Sequence, residues 1–317
     1  MYHRIAPPEQ DVWDIAVSPE KFEEQLKVLQ KKYRVLPLQT LVAQASRHTL
    51  KRNSIAITFD DGYADNFLTA LPLLQKYQLP ATFFICSGNI GENKEFWWDE
   101  LEKIFLLSPA LPAILPSSHQ NEQTLSLAGE EHLTEELRQK HQSWKAGEQE
   151  PVSLRSAAFF ALWQALKPLP HPEQQKQLVA LRQWAGISLS GRTDFRSVTA
   201  AELQQLSQHP LVTIGAHTVT HPALAAHSLE YQTREMRQNK LYLEKTISKP
   251  VTLLTYPYGN YNHTTLEAAQ KNEFAAAFTT QAQPVTSRST PLQLGRFQVT
   301  NQGSQAFEKA LIYWQKI

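Results

Sequence analysis

Two adjacent carboxylates, Asp60 and Asp61, end the apolar run Ile55-Ala56-Ile57, inside the stretch Thr58-Phe59-Asp60-Asp61-Gly62-Tyr63. Far downstream, His217-Thr218-Val219-Thr220-His221 supplies two imidazoles. Two imidazoles and one carboxylate suit a catalytic metal ion, and a second carboxylate is then left over for proton transfer. The chemistry on offer is metal-assisted hydrolysis. Successive side chains on a strand point to opposite faces, so both Asp residues reach one cavity only if the strand ends there, and Gly62 permits such an ending. Two carboxylates this close do not cheaply share a full negative charge, so a nearby cation is expected. The plainer alternative is an Asp-Gly turn with both groups in water. His217 and His221, four residues apart, would share one face of a helical turn with Cβ atoms about 5–6 Å apart. Their plainer alternative is two surface histidines in a loop ending at Pro222.

The elements that must position these groups alternate between strands and helices. Ser18-Pro19-Glu20 followed by Phe22, Leu26 and Leu29 predicts a capped amphipathic helix. A strand at 55–59 precedes the Asp pair, and Phe67, Leu71, Leu74 and Tyr77 then recur with helical spacing up to Leu79-Pro80. The next strand is expected at 81–86. Thr199 and Glu202 form a capping box for a helix through Leu206, followed by a strand at 211–216. A long helix at 228–247, a strand at 251–256, a helix from Thr264 or Thr265 and a short strand at 276–279 complete the series. Repeated strand and helix units imply a parallel sheet, open or closed into a barrel. In a barrel the chemistry gathers at the C-terminal ends of the strands. The Asp pair, the His pair and Tyr256-Pro257-Tyr258-Gly259 all fall at such ends.

Bulk properties narrow the function classes. The 317 residues are 42% hydrophobic, enough for one large domain or two small ones. With 31 basic against 30 acidic residues, and no long run of either sign, the chain has no electrostatic footprint for nucleic acid or an anionic membrane. No apolar run approaches the ~18 residues that span a bilayer, and the first residues do not form a secretory leader. A cytoplasmic protein is therefore expected, unless an upstream leader has been trimmed. The single cysteine, Cys86, lies in an apolar run and reads as a buried structural thiol. Between about 107 and 197 the pattern breaks into Pro-, Gln- and Ser-rich loops with helical stretches near 154–166 and 173–184. Its scattered apolar residues read as an insertion rather than an independent domain, either packing over the barrel or shaping a substrate cleft.

Thr58-Phe59-Asp60-Asp61-Gly62, His217-Thr218-Val219-Thr220-His221 and Tyr256-Pro257-Tyr258-Gly259 resemble, in order, the first three motifs of the polysaccharide deacetylase family. That family is also called carbohydrate esterase family 4, or the NodB homology domain. The wide first gap resembles the branch with a long insertion. The resemblance implies an α/β fold, a distorted (β/α) barrel formed by the whole of 1–317 with a mainly helical insertion at about 107–197. It implies removal of an N-acetyl group from a polysaccharide or oligosaccharide precursor. It makes Asp61, His217 and His221 the ligands of one divalent metal ion and Asp60 the general base, with the backbone N–H of Tyr258 on the oxyanion. Zinc is the first choice of metal, and cobalt, nickel, manganese or iron fit the same ligands.

Two positions depart from the family pattern. Many members carry an arginine two residues before the Pro of the third motif, where it holds the catalytic Asp; this chain has Thr255 there, and Arg296 is the candidate replacement. No histidine follows His263, so the usual late general acid is missing. One branch places that acid in a Tyr-His segment on the first strand, which Met1-Tyr2-His3-Arg4-Ile5 resembles, making His3 the candidate. His3 otherwise packs at a strand end, and His263 reads as a surface residue at a helix start. In Phe96-Trp97-Trp98-Asp99, Trp98 either packs in a core or offers a sugar-stacking face, and Asp99 could bond sugar hydroxyls. Two other readings keep their place beside deacetylation. The same site could act on a formamido sugar or a small non-carbohydrate amide or imide, or the chain could be an inactive carbohydrate-binding module. An intact Asp60 argues against the last, since binding a metal does not need a base.

Overall fold

The computed structural model describes residues 1–7, 11–116, 124–188 and 191–315. They form two compact units. One comprises Met1–Pro8, Ile15–Glu92 and Ser197–Ile317; the other comprises Glu9–Asp14 and Asn93–Arg196.

The first unit is built on a five-stranded parallel sheet in the order Ala276–Phe278, Leu253–Thr255, Val212–Ala216, Ala81–Ile85, Ile57–Phe59. The adjacent strands Ala81–Ile85 and Ile57–Phe59 are buried along their whole length, as strands covered on both faces must be. Backbone hydrogen bonds then carry the sheet round on itself. At one edge Tyr2 N–H donates to Thr58 O (2.8 Å) and Asp60 N–H donates to Tyr2 O (3.0 Å). At the other, Thr279 N–H donates to Leu294 O (2.8 Å), and Val299 N–H donates to Met1 O (2.9 Å). The extended run from Leu294 to Val299 therefore links the last strand to the first residues, and the ring closes as a distorted (β/α) barrel, the class the sequence predicts. Phe59 stands in its core, stacked at 4.7 Å on Phe83 and at 5.3 Å on Tyr2. Phe59→Ala would cost about 3–5 kcal/mol by opening that stack.

The helices around the barrel begin where their caps predict. Ser18 Oγ accepts from Lys21 N–H (3.3 Å) at the head of Pro19–Lys32, which buries Phe22, Leu26 and Leu29. Thr199 and Glu202 close a capping box on Ala200–Gln208, and Ser228 caps Leu229–Ile247. The helix expected from Thr264 or Thr265 starts at His263, because Asn262 caps it by accepting from Thr265 N–H (3.0 Å). The expected strand at 55–59 is broken at Ala56, and that at 251–256 shrinks to Leu253–Thr255. Helices Leu38–Ser46 and Ser304–Trp314 were not anticipated; the second buries only Phe307 and Leu311, too few to show a period.

The second unit has a core of its own. Trp97–Glu102 packs against Leu154–Leu166 and His171–Ala185, and Leu101, Phe105, Trp144, Phe159, Leu166 and Leu178 are buried. The sequence places the insertion from about 107 and gives it too few apolar residues to form a core. In the structure the unit starts at Asn93 and recruits Glu9–Asp14, since the Trp13 ring packs, tilted, 4.6 Å from that of Trp163 and Ala146 N–H donates to Val12 O (2.8 Å). Buried Arg155 ties its loops by donating to the carbonyls of Ser108 (2.7 Å), Glu130 (2.6 Å) and Glu131 (2.7 Å). Among the described residues, no helix is long and apolar enough to cross a membrane.

Candidate active site

The strand Ile57–Phe59 ends at Asp60, and the backbone then turns sharply. Asp61 and Gly62 both take left-handed conformations, with φ of 72° and 87°. A side chain at Gly62 would sit 3.0 Å from Ile85 Cδ1, so glycine is needed for conformation and for space. The turn sends two neighbouring carboxylates into different surroundings. Asp60 receives both ends of the Arg296 guanidinium, Nη1 to Oδ1 and Nη2 to Oδ2, each at 2.7 Å. Arg296 is itself fixed by donating to Thr279 O (3.2 Å) and Thr58 Oγ1 (3.3 Å). Burial alone would raise the Asp60 pKa, but the Arg296 charge and its two hydrogen bonds outweigh burial and hold the carboxyl well below the usual range.

Asp61 faces imidazoles instead. Its Oδ1 lies 3.3 Å from His217 Nε2 and 3.4 Å from His221 Nε2, and all three residues are buried. His217 and His221 do not share a helical turn. Their segment is a loop in which Thr218 and His221 adopt positive φ, 64° and 57°, and the rings still meet edge to face at 4.8 Å between centroids. Residues 86–88 hold this loop from one side: the Cys86 thiol donates to His217 O (3.0 Å) and Gly88 N–H to Val219 O (2.8 Å). Helix Leu229–Ile247 holds it from the other. Glu235 accepts from the amides of Val219 and Thr220, both at 2.9 Å, and Asn239 accepts from His217 N–H (3.1 Å). Strained non-glycine backbone gathered in this way is a mark of functional sites.

The donor set fits a divalent cation. His217 Nδ1 lies 3.0 Å from the carbonyl of Thr255 and 2.5 Å from its hydroxyl. A carbonyl only accepts, so Nδ1 carries a proton, and it is Nε2 that is turned to Asp61. Burial, reinforced by His217, pushes His221 down to about 3, so that ring is neutral near pH 7. Ligand atoms bound tetrahedrally at about 2.1 Å stand roughly 3.3–3.4 Å apart. The separations across Asp61 are 3.3 and 3.4 Å.

Tyr258 joins this cluster, its ring edge-on to His221 at 4.4 Å and its backbone in the left-handed region at φ 58°. Gly259 follows at φ 61°, where any side chain would meet Thr280 Oγ1 at 2.1 Å. His3 is partly exposed and feels the charges of Asp61 and Asp60; burial nonetheless lowers its pKa below the ordinary value. Trp98 and Asp99 lie in the second unit, where both are buried. Trp98 stacks on Phe96 at 4.6 Å and edge-on to Trp97 at 5.9 Å, so its ring serves that unit's packing. His263 opens its helix at the surface. The sequence reading passed over Glu235 and Asn239. Their signal was a polar pair four residues apart on the face of helix Leu229–Ile247 that also buries Gln232, Met236 and Leu243.

The fold and site define a class: (β/α) barrels with an Asp-Asp turn and a two-histidine loop at the strand ends. The profile of the family described as polysaccharide deacetylase matches residues 47–108 and 174–277. The chain belongs to that family. It is similar to the Bacillus subtilis protein YxkH, 21% identical over 283 residues that cover 89% of this chain and 63% of YxkH. It is 31% identical over 94 residues to poly-β-1,6-N-acetyl-D-glucosamine N-deacetylase of Staphylococcus aureus, covering 29% of this chain and 32% of that enzyme. The chain thus spans less than two thirds of either curated relative. Among solved structures, IcaB from Ammonifex degensii superposes with a TM-score of 0.59 at 16% identity, over 99% of this chain and 94% of that one.

Proposed function

We propose that this chain hydrolyses the N-acetyl groups of an N-acetylated carbohydrate, with poly-N-acetylglucosamine as the first substrate to try. The observation that carries this reading is the division of labour between the two aspartates, one paired with Arg296 and one facing two imidazoles. The family and the name of the Staphylococcus aureus relative support the substrate class.

In this mechanism Asp61, His217 and His221 hold one divalent ion, zinc being the first candidate. When bound, that ion supplies Lewis acidity to the acyl carbonyl and to the attacking water. Asp60 takes the water proton. Because Arg296 keeps Asp60 strongly acidic, it is a weak base, suited only to a proton that is already acidified. The Tyr258 backbone N–H donates to the oxygen that gains charge as the carbonyl becomes tetrahedral. His3 protonates the departing amine, and a ring whose pKa is lowered by burial releases that proton readily. The test is acetate release from N-acetylglucosamine oligomers by metal-loaded and chelated protein. Release that stops on chelation and returns with zinc supports the reading, and no release by any metal-loaded form overturns it.

A further inference from the structure

The turn that delivers Asp60 and Asp61 continues into Tyr63-Ala64-Asp65-Asn66, and its last two residues grip the segment that carries His3. Asp65 Oδ1 accepts from Ile5 N–H (3.0 Å) and from Asn66 Nδ2 (2.9 Å), while Asp65 Oδ2 accepts from Arg4 Nε (3.0 Å). Asn66 Nδ2 donates in addition to the carbonyl of His3 itself (2.8 Å). The Arg4 guanidinium lies over the Tyr63 ring, 4.9 Å from its centroid. Arg4, Asp65 and Asn66 are all buried. The chain is therefore fixed at His3, Arg4 and Ile5 in succession, through two side chains of one turn. A buried ion pair is a weak device for stability alone, since apolar residues of similar size usually do as well. Its directional bonds are better suited to setting a position.

We propose that Asp65 and Asn66 are positioning residues for His3, locking the His3 ring in one placement relative to the Asp60–Asp61 turn from which they themselves extend. The inference rests on the reading of His3 as the acid. The coupling it describes is mechanical: the base and the acid sit on two segments more than fifty residues apart in sequence, and the clamp makes them one rigid piece.

The test is a double-mutant cycle on the metal-loaded protein with His3→Ala, Asp65→Asn and the double variant, with NMR of the His3 imidazole alongside. Asp65→Asn is expected to lower kcat about tenfold or more with little change in KM, and to add almost nothing once His3 is already alanine. The His3 imidazole resonance should shift or broaden in Asp65→Asn while bound metal stays at one ion. Equal losses in both backgrounds, or an unmoved His3 resonance, would overturn the proposal. Should Asp65→Asn not fold, Arg4→Met with Asp65→Leu replaces the ion pair by apolar volume and still frees the Ile5 amide, so the same resonance decides. The NMR readout needs no turnover, so a protein that releases no acetate would sink the deacetylase reading and leave the clamp to be judged on its own.

Discussion

Asp60 and Asp61 share a backbone turn and near-total burial, yet their surroundings are opposite. Asp60 has its charge matched inside the protein by a bidentate guanidinium. Asp61 instead faces two imidazoles, with Nε2 of His217 and of His221 3.3 and 3.4 Å from its carboxylate. A buried charge without a fixed partner is costly. The difference teaches that one carboxylate is matched within the polypeptide, while the other faces a donor set that could hold a cation. A third buried acid sharpens the contrast. In the second unit Arg192 divides itself between Glu95 (2.7 Å) and Glu102 (3.2 Å). Burial pushes Glu102 up to about 8, against the pull of Arg192 and with the help of Asp99. Arg296, given wholly to Asp60, outweighs burial there, whereas the shared Arg192 does not outweigh it at Glu102.

The largest expected effect comes from removing the imidazole side of the comparison. His217→Ala should leave less than a tenth of the wild-type metal content by elemental analysis, and activity should fall by about a thousandfold or more. Retained metal in that variant would break the assignment of His217. On the guanidinium side, Arg296→Met leaves Asp60 buried and unpaired, a loss of about 3–5 kcal/mol in denaturant unfolding. The same variant should raise the Asp60 pKa and shift the acid limb of the rate profile to higher pH, with metal content unchanged. Thr255→Val removes only the hydroxyl beside His217 Nδ1 and leaves the carbonyl in place. A roughly tenfold weaker metal affinity is expected from it, measured by competition with a chelator.

The smallest effect is one of stability against pH in the second unit. Glu102 titrates at about 8 when folded and at about 4.3 when unfolded. Between those values the unfolded chain binds fewer protons, so this group makes stability fall as pH rises from about 4.5 to 8. Glu102→Gln should flatten that part of the curve of Tm against pH. Asp60 carries the opposite sign. Its folded pKa is depressed, so its contribution is present above about pH 4 and lost on acidification, and Arg296→Met should remove that loss.

The sequence exposed the site's chemistry more readily than its construction. The Asp pair, the His pair and Tyr258 announce themselves because a strand end, a glycine and a change of period coincide there. Arg296 is legible only through the missing arginine at Thr255, since nothing in Leu294-Gly295-Arg296-Phe297 says that the run sits beside the first strand. That proximity comes from ring closure, set by hydrogen bonds between residues nearly three hundred positions apart. The histidine loop misled for a local reason: spacing of four suggests a helical turn, whereas Glu235 and Asn239 hold the backbone in a looped form with positive φ. Trp98 shows the limit of composition, because an aromatic suited to stacking on sugar is equally suited to the core where it lies. Glu235 and Asn239 were hidden by their own polarity, which reads as solvent-facing until the buried face of the helix is known.

The most direct measurement compares Asp60→Asn with Asp61→Asn for bound zinc and for acetate release from an N-acetylglucosamine oligomer. If the two aspartates divide the work as their surroundings imply, Asp60→Asn keeps one metal ion and loses activity by about a hundred- to ten-thousandfold, while Asp61→Asn loses the metal itself. Equal metal content in the two variants, or an Asp60→Asn protein that still turns over at the wild-type rate, would contradict the account.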